Sequence, residues 1–135
     1  MKITKTSKKG IDLIKKYEGL HDGDLTKVGL QPKLDPVGIW TEGYGRAMRD
    51  EKGNFLKGIK NKSYANAHAT IKTECEAEKA LAEDVAPFEK LVIQKIKVEL
   101  NQNQFDALVV MFYNIGFSAT LTNLINSGAD KKVIY

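Results

Sequence analysis

Glu18, Asp35 and Thr41 offer two carboxyl groups and a hydroxyl, enough to protonate a leaving group and activate a water. The stretch before Glu18 reads as a helix over residues 7–19. Ser7 fits the N-cap, Ile11, Ile14 and Tyr17 or Glu18 share one face, and Gly19 stands where a helix-ending glycine belongs. Glu18 then lies at the helix C-terminus, where the macrodipole disfavours negative charge by about 0.3–1 kcal/mol. With partial burial, such a carboxyl holds its proton to higher pH, as general-acid catalysis near neutrality requires. A solvated glutamate at a frayed helix end is the plainer alternative.

Asp35 and Thr41 sit in LDPVGIWTEGYG, residues 34–45. Asp-Pro-Val-Gly is turn chemistry, with proline presetting the first turn position and glycine taking the left-handed one. A two-residue loop would pair Asp35 with Gly38 and put Thr41 on the opposite face. A three-residue loop, Pro36-Val37-Gly38, pairs Asp35 with Ile39 and puts Asp35, Ile39 and Thr41 on one face. Asp35 and Thr41 then become diagonal neighbours, about 7–8 Å apart at the backbone, able to hold one water between them. Without that arrangement, Asp35 is simply the favoured first residue of a turn.

The surrounding elements follow from punctuation and periodicity. Residues 20–62 are rich in glycine and proline with short apolar runs, the pattern of a small twisted sheet with long loops. RDEKGNF (49–55) reads as a solvent-facing hairpin turn around Lys52-Gly53. Residues 63–135 are helical. Thr73-Glu74-Cys75-Glu76 and Asn101-Gln102-Asn103-Gln104 are capping-box sequences. Pro87 should kink or divide the first of the helices they open. The second, FDALVVMFYNI (105–115), is apolar nearly all round and belongs at the centre of a helical core, ended by Gly116. Ser118 starts a short helix to about Asn126, and Ala129-Asp130 starts an element that stops within a turn. The expectation is one α+β domain, with a small sheet lobe, a mainly helical lobe, and a cleft between them as the ligand site.

Composition narrows the function classes. The 135 residues are 42% hydrophobic and 28% charged, ordinary for a globular chain. A net charge of +4 without a basic stripe or recognisable module argues against nucleic acid but suits an anionic polymer. Cys75 is the single cysteine, and His21 and His68 show no ligand spacing, so no metal or cofactor is expected. Each histidine reads as a surface or satisfied core residue. No segment has the roughly 20 apolar residues of a membrane span, and the basic N-terminus lacks a signal-peptide apolar run. Synthesis in the cytosol is therefore expected, and these features leave open where the protein acts.

LIKKYEG (13–19) followed by LDPVGIWTEGYG resembles the phage-type lysozymes, or endolysins, related to phage T4 lysozyme. LNQNQFDALVVMFYNIG (100–116) and SATLTNLIN (118–126) are similar to the family's central and following helices, in order. The resemblance implies a lysozyme-like fold and hydrolysis of peptidoglycan between N-acetylmuramic acid and N-acetylglucosamine, with inversion. It makes Glu18 the general acid, with Asp35 and Thr41 positioning and activating water. It places Tyr44 and Arg46 on the sheet-lobe side of the substrate cleft, and Tyr113, Asn114 and Thr120 on the helical-lobe side. A wall-binding remnant without turnover and a lytic transglycosylase are the competing readings.

Three departures from the family pattern stand out. Glu18 and Asp35 are separated by sixteen residues where the family usually has eight, which isolates DGDLTKVG (22–29) as an inserted surface hairpin or loop. It either lengthens one cleft wall or is silent. Arg46 stands where many relatives have histidine, and Glu42 replaces a usual isoleucine. Strand alternation turns Glu42 away from Thr41, so it is expected to be solvated. The family also continues with further helices beyond the position of Tyr135. Uncovered apolar faces on residues 76–92 and 105–115, self-association or completion by another segment would follow.

Overall fold

The computed structural model describes residues 3–127, so the element expected at Ala129-Asp130 lies outside the described residues. The elements run α1 (Lys8–Glu18), β1 (Lys33–Leu34), β2 (Trp40–Glu42), β3 (Arg46–Ala47), a 3-10 turn (Ile59–Asn61), α2 (Lys62–His68), α3 (Glu74–Lys95), α4 (Gln102–Ile115) and α5 (Ala119–Asn126). The fold class is α+β, as the sequence predicts. Among the described residues no helix is long and apolar enough to cross a membrane.

The chain forms two compact units, one of residues 18–84 and one that joins the N-terminal segment to residues 85–127. The first holds an antiparallel sheet in the order β1-β2-β3. Strands of two, three and two residues cannot bury a core among themselves. This unit therefore extends past residue 62 and takes in α2 and the first half of α3. Trp40, Met48, Leu56 and Ala65 form its buried cluster, with Leu34 and Tyr64 packed against it. The Trp40 indole N–H donates to the Gly58 carbonyl at 2.8 Å.

In the second unit, the Asp106 carboxylate accepts from Ser7 N–H at 3.0 Å, from the Ser7 hydroxyl, and from the Gln102 amide at 2.7 Å. Glu89 accepts from both the backbone and the hydroxyl of Thr6 at 2.7 Å. These bonds fasten the start of α1, whose Gly10 lies so near Asp106 that a methyl group there would come within 2.9 Å of its carboxyl carbon. Phe105, Leu108, Val109 and Phe112 of α4 are buried. Of the faces on 76–92 and 105–115 expected to be uncovered, Leu81, Val85 and Val92 are buried as well, whereas Ile115 at the end of 105–115 is exposed. Phe117 and Leu124 beyond it add to that apolar exposure.

Both capping boxes form. Thr73 Oγ1 accepts from Glu76 N–H while Glu76 Oε1 accepts from Thr73 N–H, each at 3.1 Å. Asn101 and Gln104 make the equivalent pair at 2.9 and 3.0 Å. Pro87 lies inside α3 without dividing it. A proline there forgoes one backbone bond, and buried Leu81, Val85 and Val92 on either side hold the helix together.

Candidate active site

Glu18 is the last residue of α1, and Gly19 leaves the helix with φ of +72°. Its carboxyl group lies against the backbone of Gly45: a methyl group at Gly45 would come 2.7 Å from Glu18 Oε2. Gly45 itself has φ of +99°, so both its conformation and its close approach to the acid require glycine. Partial burial raises the Glu18 pKa above the ordinary glutamate range. Among the described residues no cation or hydrogen-bond donor holds this carboxyl. The helix end and the burial therefore act in the same direction, toward a retained proton.

Asp35 opens a three-residue loop. Its N–H donates to Ile39 C=O at 2.8 Å, its C=O accepts from Gly38 N–H at 3.0 Å, and Gly38 has φ of +88°. Lys33 pairs with Thr41 and Leu34 with Trp40, so the register sets Asp35 opposite Ile39 and puts Asp35 and Thr41 on one face. The Asp35 carboxylate is partly committed to the loop, with Oδ1 accepting from Val37 N–H at 3.0 Å and Ile39 N–H at 2.8 Å.

Thr41 is buried, and its hydroxyl donates to Lys33 C=O at 3.1 Å. His21 Nδ1 lies 3.3 Å from the same oxygen. A hydroxyl has one proton to give, so with that proton on Lys33 the Nδ1 must carry a hydrogen and donate to Thr41. The imidazole is half-buried, and the backbone N–H of His21 donates to Gly43 C=O at 2.7 Å. Burial and the Lys33 charge lower the His21 pKa, while the Asp35 charge raises it. The sequence makes His21 a surface or satisfied core histidine; the structure shows it half-buried and satisfied, and adds that its partner is Thr41. Spacing of polar residues gives no sign of this, because the contact depends on residues 18–21 running alongside residues 43–45.

Tyr44 is buried with its hydroxyl donating to Glu74 at 3.1 Å. Arg46 makes a forked bond to Asp84, Nε at 3.0 Å and the terminal nitrogen at 2.9 Å, and also reaches Ala80 C=O at 3.1 Å. These two side chains tie the turn after β2 and strand β3 to α3. The expectation that Glu42 is solvated is corrected. It is 5% exposed and accepts from the N–H groups of Thr70 at 2.9 Å and Ile71 at 3.0 Å. Alternation does turn it from Thr41, but the segment ahead of α3 covers that face. In the other unit, Tyr113 is half-buried and meets Phe88 edge-on at 5.6 Å, whereas Asn114 and Thr120 are exposed.

The sequence profile described as phage lysozyme matches residues 16–134. The chain is 34% identical over 119 residues to the endolysin of Acyrthosiphon pisum secondary endosymbiont phage 1, covering 88% of this chain and 65% of that protein. It is 32% identical over 130 residues to the endolysin of Bacillus phage B103, covering 93% of this chain and 41% of that protein. The chain thus spans less than two thirds of the length of either relative. Among solved structures, an endolysin from Escherichia coli O157:H7 phage FAHEc1 is 36% identical with a TM-score of 0.64, covering 92% of this chain and 68% of that one. The muramidase domain of SpmX from Asticaccaulis excentricus is 27% identical with a TM-score of 0.62, covering 97% and 76%.

Proposed function

The chain belongs to the phage lysozyme family, and from that premise we propose that it hydrolyses peptidoglycan at the β-1,4 bond between N-acetylmuramic acid and N-acetylglucosamine. The observation that carries this reading is the Glu18 carboxyl, half-buried against Gly45 with its pKa raised. Protonated Glu18 gives its proton to the glycosidic oxygen as the bond from the anomeric carbon breaks. Asp35 takes a proton from water as the water oxygen bonds that carbon from the opposite face. Carboxyl groups roughly 6.5–9.5 Å apart would leave room for that water and give inversion.

Thr41 positions the water as an acceptor. Its own proton is on Lys33 C=O, and the His21 N–H takes one lone pair, so the remaining lone pair receives a hydrogen from water. The second hydrogen of the water then points to Asp35, and its oxygen lone pairs are left for the sugar. Tyr44 and Arg46, expected to line the substrate cleft, are engaged with Glu74 and Asp84 and act by fixing the backbone around Gly45. Tyr113, Asn114 and Thr120 are carried over from the family resemblance as glycan contacts. The substrate lies in the cell wall, reached after release or export by another protein.

Purified protein should release reducing ends from peptidoglycan, and Glu18→Gln should lower that rate by at least about a hundredfold. Full activity in Glu18→Gln would remove Glu18 as the acid. Mass spectrometry of the products separates the alternatives: anhydro ends indicate a transglycosylase, and wall binding without new ends indicates a non-catalytic binder.

A further inference from the structure

The unit of residues 18–84 holds a cavity of about 270 Å³ whose walls include Lys27, Lys33 and Lys62, with Asp24, Leu34 and Trp40. The charges of Lys27 and Lys62 act on the one carboxylate, Asp24, while Lys33 lines the cavity from β1, on the side that faces Thr41. Asp24 is already engaged, its Oδ1 accepting from the backbone and the hydroxyl of Thr26 at 3.0 and 2.5 Å. Among the described residues, none of the three lysines forms an ion pair or a side-chain hydrogen bond. With Lys27 and Lys62 against Asp24, the cavity keeps one net positive charge beside the apolar Leu34 and Trp40, a pairing suited to an anion attached to a small hydrocarbon group.

The inserted segment builds one wall and is held in place. Gly23 N–H donates to Gln31 C=O at 3.0 Å, closing the loop, and Leu30 N–H donates to Lys72 C=O at 2.7 Å. Asp22 Oδ1 accepts from Asp24 N–H at 3.2 Å and Gln31 N–H at 3.3 Å. A methyl group at Gly23 would meet Pro32 oxygen at 2.0 Å, so only glycine lets the loop lie this close to the start of β1. The cavity also has a defined relation to the candidate active site. Lys33 pairs with Thr41 on one face of β1, and Leu34 pairs with Trp40 on the other. A ligand on the Asp35 face reaches the cavity by passing around this edge strand.

We infer that this cavity receives the terminal carboxylate of a peptide substituent on the glycan strand, so that the inserted loop reads the peptide while Glu18 and Asp35 act on the sugar. The inference rests on the peptidoglycan reading. The volume is near the lower end for ligand pockets, about 300 Å³, which fits one amino-acid residue better than a sugar. Its charge serves a carboxylate and is weakened by salt.

Binding is best measured in the Glu18→Gln protein, where turnover is removed. The probes are a disaccharide carrying a tetrapeptide, the same disaccharide without its peptide, and the free tetrapeptide as acid and as C-terminal amide. The acid forms should bind about tenfold more tightly than their peptide-free or amidated counterparts. Lys27→Ala/Lys62→Ala, which alters two exposed side chains, should abolish that preference and leave the peptide-free disaccharide unaffected. Equal affinity for acid and amide, or a preference that survives the double substitution, would overturn the inference. Inorganic phosphate binding more tightly than the tetrapeptide would also overturn it, in favour of a phosphate-bearing wall polymer. The free tetrapeptide pair tests the cavity without any glycan. Acid-over-amide preference without hydrolysis by the wild type would sink the lysozyme reading and keep the cavity, and hydrolysis without that preference would do the reverse.

Discussion

The sheet-bearing unit contains the same loop twice. At residues 35–39 and 50–54 an aspartate opens three residues that end in glycine. Asp35 N–H donates to Ile39 C=O and Asp50 N–H to Asn54 C=O, each at 2.8 Å. The glycine N–H returns to the aspartate C=O at 3.0 Å in both, with Gly38 and Gly53 at φ of +88° and +83°. Even the carboxylates do the same work: Asp50 Oδ1 accepts from Lys52 N–H at 2.9 Å and Asn54 N–H at 3.0 Å, matching Asp35 on Val37 and Ile39. The turn therefore explains why an aspartate stands at each position and says nothing about catalysis. What differs is the flanking chemistry. Beyond Asp35 stand Thr41 and His21; beside Asp50, Arg49 lies over the Phe55 ring at 4.3 Å and bonds Gly53 C=O. One loop borders a hydroxyl held by an imidazole, and the other is closed by its own arginine.

Asparagine keeps the accepting oxygen and removes the base, so it separates the loops most sharply. Asp35→Asn should lower peptidoglycan hydrolysis by about a hundredfold or more, with the unfolding midpoint nearly unchanged. Asp50→Asn should leave both untouched. Equal loss of turnover in the two variants would show that the carboxylates act only through the turn.

The flanks come next. His21→Ala should lower kcat by about tenfold with little change in KM, since only the direction of the Thr41 lone pair is disturbed. His21→Asn offers an N–H near the place of Nδ1 and should restore much of the rate. Arg49→Ala should instead cost stability alone, about 0.5–1 kcal/mol for the exposed ring contact. A rate loss in His21→Asn as deep as in His21→Ala would remove the donor role.

Gly38→Ala and Gly53→Ala test whether the loops are truly alike. A methyl group at either glycine would meet no atom within 4 Å beyond its chain neighbours, so each substitution costs only its left-handed strain, about 1 kcal/mol. Chemical denaturation should give matching losses, with turnover falling only for Gly38→Ala because Asp35 shifts against Thr41.

The smallest effect is in pH. Burial raises the folded pKa of Glu18 above its unfolded value, so the folded state binds that proton more tightly. Its contribution favours folding at low pH and is lost as pH rises through the raised pKa. Glu18→Gln should flatten that slope in stability measured against pH, and Asp50→Asn should leave it in place.

Much of this is legible from residue order. The two aspartate loops, both capping boxes and the glycine ends of α1 and α4 follow from local backbone rules that act within five residues. Contacts between distant segments are not legible. His21 reaches Thr41 across 20 positions and Glu42 reaches Thr70 across 28. Alternation assigns Glu42 its face but says nothing of what covers that face. The inserted loop is an intermediate case: its glycines mark a turn, yet its fixed position rests on Gln31 and Lys72. Pro87 reads as a kink or a break on backbone chemistry alone, and which of the two it is depends on the packing that carries α3 on through it undivided.

Glu42 also governs how the sheet comes apart. Three strands this short would fray independently, exchanging their amide hydrogens quickly with solvent. Because one buried carboxylate gathers the Thr70 and Ile71 amides, β2 cannot open without releasing the lead-in to α3. The sheet and that lead-in thus form one cooperative opening unit, and the protection of Thr70 and Ile71 should rise and fall with that of β2.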